Sequence, residues 1–200
     1  MKHIWEKVEE VRAQYEILGE DRTPIDVFSF FEIDLGLNPI PFDDLVSKYR
    51  IEAAITADFT GIYLDAEQYA LMERGPDWKL NRLRFTVAHE LAHYYLHQDL
   101  PQPENFASLP NFARWNDNYG GKKYDAEQEA NEFAGRLLVP ELRLRSCFDE
   151  FALPAEKLMP GFMGNGQIRR SFADTIASRF GVNSQVIEVR LERDGIWPAS

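Results

Sequence analysis

The stretch Arg84-Phe85-Thr86-Val87-Ala88-His89-Glu90-Leu91-Ala92-His93-Tyr94-Tyr95-Leu96-His97 constrains this chain more than any other. At roughly 100° and 1.5 Å per residue it reads as part of a helix over 80–97. Phe85, Val87, Ala88, Leu91, Ala92, Tyr94, Tyr95 and Leu96 leave that helix almost no polar face, so it is predicted to be largely buried. Yet it carries His-Glu-x-x-His, and histidines and a carboxylate inside an apolar helix require partners. Whatever fold forms must bring further polar groups up against it.

His89 and His93 lie one turn apart on one face, where two imidazoles can converge on one zinc ion while Glu90 projects beside them towards a water to be activated. The five-residue pattern arises by chance in on the order of one chain in a hundred of this length, so the motif alone is only suggestive. The plainer reading has these side chains hydrogen-bonding to backbone or arginine. A catalytic zinc needs a third protein ligand and an open fourth position. His97 fails as that ligand, because eight residues of straight helix set it roughly 12 Å from His89; it reads instead as a helix-end or supporting residue. The Gly and third His that a metzincin carries at fixed offsets are absent. A carboxylate from another helix is left.

Residues 125–138 supply one. Asp125 is a good N-cap with Gln128 three residues on, and Ala126, Ala130, Phe133, Ala134, Leu137 and Leu138 form an apolar stripe. On a helical wheel Glu127 lies roughly 60° from the centre of that stripe and Glu129 about 100° away on the opposite flank. Glu132 points almost directly outward. Glu127 is thus the acid best placed to face the core, and Asn131, one turn later, is placed to hydrogen-bond a ligating histidine. Taken alone, such a segment is usually a plain amphipathic helix with solvated acids.

The rest of the chain reads as α+β, mostly helical, with one small β-sheet before the His-Glu-x-x-His helix and a helical C-terminal tail. Ile4, Val8, Val11, Tyr15 and Leu18 recur at helical spacing. Thr23-Pro24 predicts the start of a second helix through Phe28 and Phe31, ending near Gly36. Asn38-Pro39-Ile40-Pro41 breaks the chain before a short helix through Leu45, Val46 and Tyr49. Strands are predicted at 51–55, 60–64 and 69–72, and Gly75-Pro76 closes the sheet. Residues 98–123, with three prolines and two glycines, form a long connection of the kind that is usually functional. Tail helices are predicted at about 168–179 and 184–193, separated by Gly181. The expected division is a domain over 1–145 holding both ligand helices, with a helical subdomain over 146–200 packed on it.

Composition narrows the function classes. A formal charge of −11 argues against a general affinity for nucleic acid. The tail sets Arg169, Arg170, Arg179, Arg190 and Arg193 against Asp174, Glu188, Glu192 and Asp194, which is nearly neutral and reads as core packing rather than a DNA-binding face. Cys147 is the only cysteine, fitting a reducing compartment. The N-terminus has no apolar h-region and no apolar run approaches a membrane span, so a cytoplasmic protein is expected.

Both helices, in this order, make the chain resemble the ImmA/IrrE metallopeptidases, which are gluzincin-like. The resemblance rests on Arg84-Phe85-Thr86-Val87-Ala88-His89-Glu90-Leu91-Ala92-His93, on Glu127-x-x-Ala130-Asn131-x-Phe133-Ala134, and on Leu137-Leu138-Val139-Pro140. Gly61 and Arg179-Phe180-Gly181-Val182 also match, and loosely the likeness covers 24–195. It implies His89, His93 and Glu127 as ligands of one Zn2+ (or another divalent metal) and Glu90 as general base. It further implies a zinc-dependent endopeptidase whose substrate is a helix-turn-helix repressor, and together with the charge and hydropathy above no direct binding of nucleic acid or membrane is expected. The chain departs from larger members in carrying no separate DNA-binding domain ahead of the motif. Tyr94, His97, Tyr119 and Tyr124 are the candidates for stabilising an oxyanion. The alternative is a metal-stabilised module that sequesters a repressor without cutting it, against which Glu90 stands, because a structural metal has no use for a base.

Overall fold

The computed structural model describes residues 2–70, 77–99, 122–161 and 164–197, with backbone only for 122–124. The chain opens with α1 (Lys2–Gln14), which buries Ile4, Val8 and Val11. The second helix starts later than the Thr23-Pro24 signal predicts. Asp26 is its cap, with Oδ1 accepting from Ser29 N–H at 3.1 Å, and α2 (Val27–Ser29) runs into a π-type turn over Phe30–Asp34. An aspartate acceptor two residues beyond the proline simply satisfies the helix-end amides better.

The sheet has three strands, β1 (Asn38–Phe42), β2 (Ala53–Ile55) and β3 (Gly61–Asp65), in the order β1-β3-β2. β1 runs parallel to β3 and β2 antiparallel to it. The strand at Asn38–Phe42 corrects the reading of that segment as a break. Asn38 N–H donates to Thr60 O at 3.0 Å, so Pro39 and Pro41, at the alternate positions, turn their missing donors to the open edge, where a sheet tolerates proline. Gly61 sits opposite Asn38, and a Cβ there would meet Asn38 O at 2.6 Å, so the β1–β3 contact requires glycine. Between the strands lies α3 (Leu45–Tyr49). Tyr69, predicted in a third strand, lies instead in α4 (Ala66–Ala70), while residues 71–72 fall outside the described residues. Asp65 ends β3 and accepts from Gln68 N–H, turning the chain into that helix.

α5 (Asp77–Leu96) carries the histidine motif and packs along α6 (Lys122–Leu138). α6 is also flanked by α1, and its last carbonyls are capped by Arg12, which donates to Arg136 O at 2.8 Å, to Leu137 O, and to Leu18 O at 2.7 Å. Three helices follow: α7 (Glu141–Leu158), which the sequence pattern did not reveal, α8 (Gly166–Phe180) and α9 (Ser184–Arg193). Gly181 at φ 60° ends α8. One continuous apolar core runs from Ile4 through Phe30, Ile62, Leu91, Phe133 and Phe180 to Trp197.

Glu132 does not point to solvent. Its residue is 3 % exposed, and its carboxylate takes Trp5 Nε1–H at 2.7 Å, Arg136 Nε–H at 2.6 Å and Arg193. Arg136 in turn reaches Asp194 Oδ1 at 2.7 Å and stacks on the Trp5 ring at 3.6 Å. The helical wheel misjudged this acid because α6 is enclosed by α1, α5 and α9, not by a single neighbour.

Candidate metal centre

The packing of α5 on α6 fixes the distances that matter. His89 Nε2 lies 3.3 Å from His93 Nε2 and 3.1 Å from Glu127 Oε2, and His93 Nε2 lies 3.9 Å from Glu127 Oε1. All three donors fall within 4.8 Å of one another. Zn–N and Zn–O bonds of 2.0–2.2 Å in a tetrahedron space their ligand atoms about 3.3–3.6 Å apart, so the donor set and its spacing lie close to those of a zinc site. Two imidazole Nε2 atoms and a carboxylate turned towards one point would repel each other's lone pairs unless a cation or proton stood between them. The site therefore favours positive charge. Burial alone lowers the His89 pKa, but hydrogen bonding to Glu127, the charges of Glu90 and Glu127, and Asn131 outweigh it and raise the imidazole above its ordinary value.

The opposite nitrogens are engaged as well. Asn131 Oδ1 is 3.1 Å from His89 Nδ1, where it accepts the ring N–H and leaves the Nε2 lone pair towards the cluster. His93 Nδ1 is 2.8 Å from His97 Nδ1, and His97 Nε2 is 3.2 Å from Glu129 Oε2. Glu129 thus faces away from the three donors and against His97. The sequence placed it on the opposite flank from Glu127 but did not identify what it meets there; the signal was present, since His97 repeats the four-residue step of His89 and His93.

Glu90 is 9 % exposed and accepts from Ile55 N–H at 2.8 Å. β2 is an edge strand, so the sheet reaches the motif through a backbone amide that the ladder leaves over. Nearby, Glu52 accepts from Thr86 Oγ1 at 3.0 Å and pairs with Arg82, tying the start of that strand to α5. Neither contact is legible in a sequence pattern.

Of the four oxyanion candidates, His97 is buried with both ring nitrogens occupied, and Tyr94 is half-buried with its ring against Phe59 at 6.4 Å. Tyr119 and the Tyr124 side chain lie outside the described residues, as does most of the 98–123 connection. Among the described residues, no helix is long and apolar enough to cross a membrane.

Comparison with protein families matches residues 77–192, more than half of the chain, to peptidase family M78, described as the IrrE N-terminal-like domain. The matched span begins at the first residue of α5 and takes in every group of the cluster. Comparisons with curated proteins and with solved structures gave no match.

Proposed function

The chain belongs to the peptidase M78, IrrE N-terminal-like family, and from that premise we propose that it is a zinc-dependent endopeptidase with His89, His93 and Glu127 as metal ligands and Glu90 as general base. The observation that carries this reading is the convergence of three donor atoms from two helices within 4.8 Å, beside a buried glutamate. A bound zinc would polarise the scissile carbonyl and make water acidic enough to attack near neutral pH. Glu90 takes the proton of the attacking water and delivers it to the leaving amine. The Ile55 amide holds that carboxylate in place without itself accepting a proton. Asn131 orients His89, and the apolar faces of α5 and α6 keep the buried side of the site dry.

The substrate we propose is a helix-turn-helix repressor. A repressor is usually basic on its DNA-binding face, and a chain of charge −11 attracts such a face at modest salt. Three of the five tail arginines are engaged internally: Arg179 pairs with Glu150, Arg190 with Asp194, and Arg193 with Glu132. They offer little to phosphate.

The test mixes zinc-loaded protein with a helix-turn-helix repressor encoded beside it and, separately, with duplex DNA. Cleavage by the wild type and none by Glu90→Gln is expected. Tight, salt-sensitive DNA binding with neither cleavage nor a complex would overturn the substrate assignment.

A further inference from the structure

We infer that Glu129 and His97 are positioning residues that fix His93 in the one tautomer able to bind metal. The inference rests on the metallopeptidase reading above and extends it to two side chains outside the ligand set.

His93 offers its Nε2 lone pair to the cluster only if its ring proton sits on Nδ1. That nitrogen lies 2.8 Å from His97 Nδ1, a distance at which one of the two carries the proton and the other accepts it. If His97 held its proton on Nδ1, it would donate to His93, whose own proton would then sit on Nε2, towards His89 and Glu127, and block the lone pair. The opposite arrangement requires the His97 proton on Nε2. Glu129 Oε2 waits there at 3.2 Å. An ionised carboxylate accepts and cannot donate, so of the two neutral tautomers of His97 it admits only the one protonated on Nε2. Selection passes from Glu129 to His97 to His93 through two hydrogen bonds.

Burial makes the selection matter. His97 is 5 % exposed, which leaves little room for water to replace either bond. Glu129 is itself held from a second side, with His3 Nε2 on the first turn of α1 lying 3.3 Å from its other oxygen. His89 has its own, shorter version of the device in Asn131. The two ligand histidines are thus oriented separately, one by an amide and the other by a carboxylate acting through an imidazole.

The experiment is a zinc competition titration with a chromophoric chelator, paired with long-range 1H–15N correlation spectra of the zinc-loaded protein. The chain has four histidines, so each ring can be assigned. In the wild type, His97 should appear protonated on Nε2 and His93 on Nδ1. His97→Leu should lower zinc affinity about tenfold to a hundredfold, the usual loss when a partner of a ligating histidine is removed. His97→Asn places an oxygen close to where Nδ1 was and should recover most of that loss. Glu129→Gln, whose amide can donate as readily as accept, should lower affinity and add the other His97 tautomer to the spectrum. A generic packing defect would move none of these protonation signals and would not be repaired by asparagine.

His97 protonated on Nδ1 in the wild type would overturn the inference. So would His97→Leu binding zinc within twofold of wild type, a threshold of roughly 0.4 kcal/mol. Should His97→Leu fail to fold, the wild-type spectrum and Glu129→Gln decide alone. A wild type that binds no zinc overturns the metallopeptidase reading itself, whereas a wild type that binds zinc with the wrong tautomer overturns only this inference.

Discussion

Glu90 and Ile55 meet through a single hydrogen bond: the edge-strand amide donates to Glu90 Oε2 at 2.8 Å. The proposed base is therefore anchored from outside its own helix, by the strand that lies alongside α5. Glu90→Gln separates the two duties of that side chain. A glutamine oxygen can still accept from Ile55, so the fold, the melting temperature and zinc stoichiometry should stay close to wild type. Proteolysis should fall by at least about a hundredfold, since the proton acceptor is lost. Turnover near wild type by this variant, measured on a cleaved protein substrate, would take Glu90 out of the mechanism.

Glu127→Ala leaves two histidines to hold a metal that a third donor previously enclosed. Isothermal titration should show a marked loss of zinc affinity, and His93→Ala should show more. Equal zinc binding by Glu127→Ala and the wild type would point to a different third ligand.

Asn131 meets His89 on the side away from the three clustered donors, and it also lines a cavity of about 480 Å³ between α5, α6 and α9. A side chain bordering an open space can be shortened with little strain. Asn131→Ala should therefore leave the metal-free melting temperature nearly unchanged while weakening zinc binding by about tenfold to a hundredfold.

The raised pKa of His89 gives a pH dependence with a definite sign. Without metal, a folded-state value above the unfolded one adds stability below the ordinary imidazole pKa of about 6.5, and that contribution is lost as pH rises through the raised value. Zinc must displace the same proton. Its affinity should rise with pH through that window and then level off, so the gap between zinc-loaded and metal-free melting temperatures widens as pH increases. Differential scanning calorimetry over about pH 5 to 9 would show it. A gap independent of pH would mean that His89 does not bind the metal.

Glu132 holds Trp5, Arg136 and Arg193 together with 2 % of its side chain exposed. Glu132→Ala takes away the carboxylate that Trp5, Arg136 and Arg193 share, leaving buried Arg136 with Asp194 as its remaining carboxylate partner, and should cost about 3 kcal/mol. Chemical denaturation would measure that loss, and the zinc affinity of the remaining folded protein should be little altered.

These groups differ in how far the sequence exposes them. His89, His93 and Glu127 meet as the helical wheel placed them, because four-residue spacing and an apolar stripe are local signals that survive tertiary packing. Asn131 follows for the same reason. The wheel failed for Glu132 because it assumes one buried face, and α6 packs against α1, α5 and α9 among the described residues. β1 was hidden by its own prolines, which look like breakers until the parallel partner shows that their edge is the open one. The contacts of Glu129 with His97 and of Ile55 with Glu90 join elements more than 30 residues apart, and no periodicity encodes such a meeting.

The closeness of α5 and α6 has a consequence for the order in which the chain becomes stable. His89 and His93 are neighbours as soon as one helix forms, whereas Glu127 joins them only after roughly 34 residues of chain have closed into a loop. For a loop of that size the chain-entropy model gives a closure cost of about 4 kcal/mol, which helix packing and any metal held by all three residues together offset. Loop-closure entropy grows only with the logarithm of length, so inserting residues between the two helices should raise that cost by only a few tenths of a kcal/mol. The segment between the two helices can thus lengthen at almost constant stability, a freedom that on the reading proposed above suits a peptidase to new substrates.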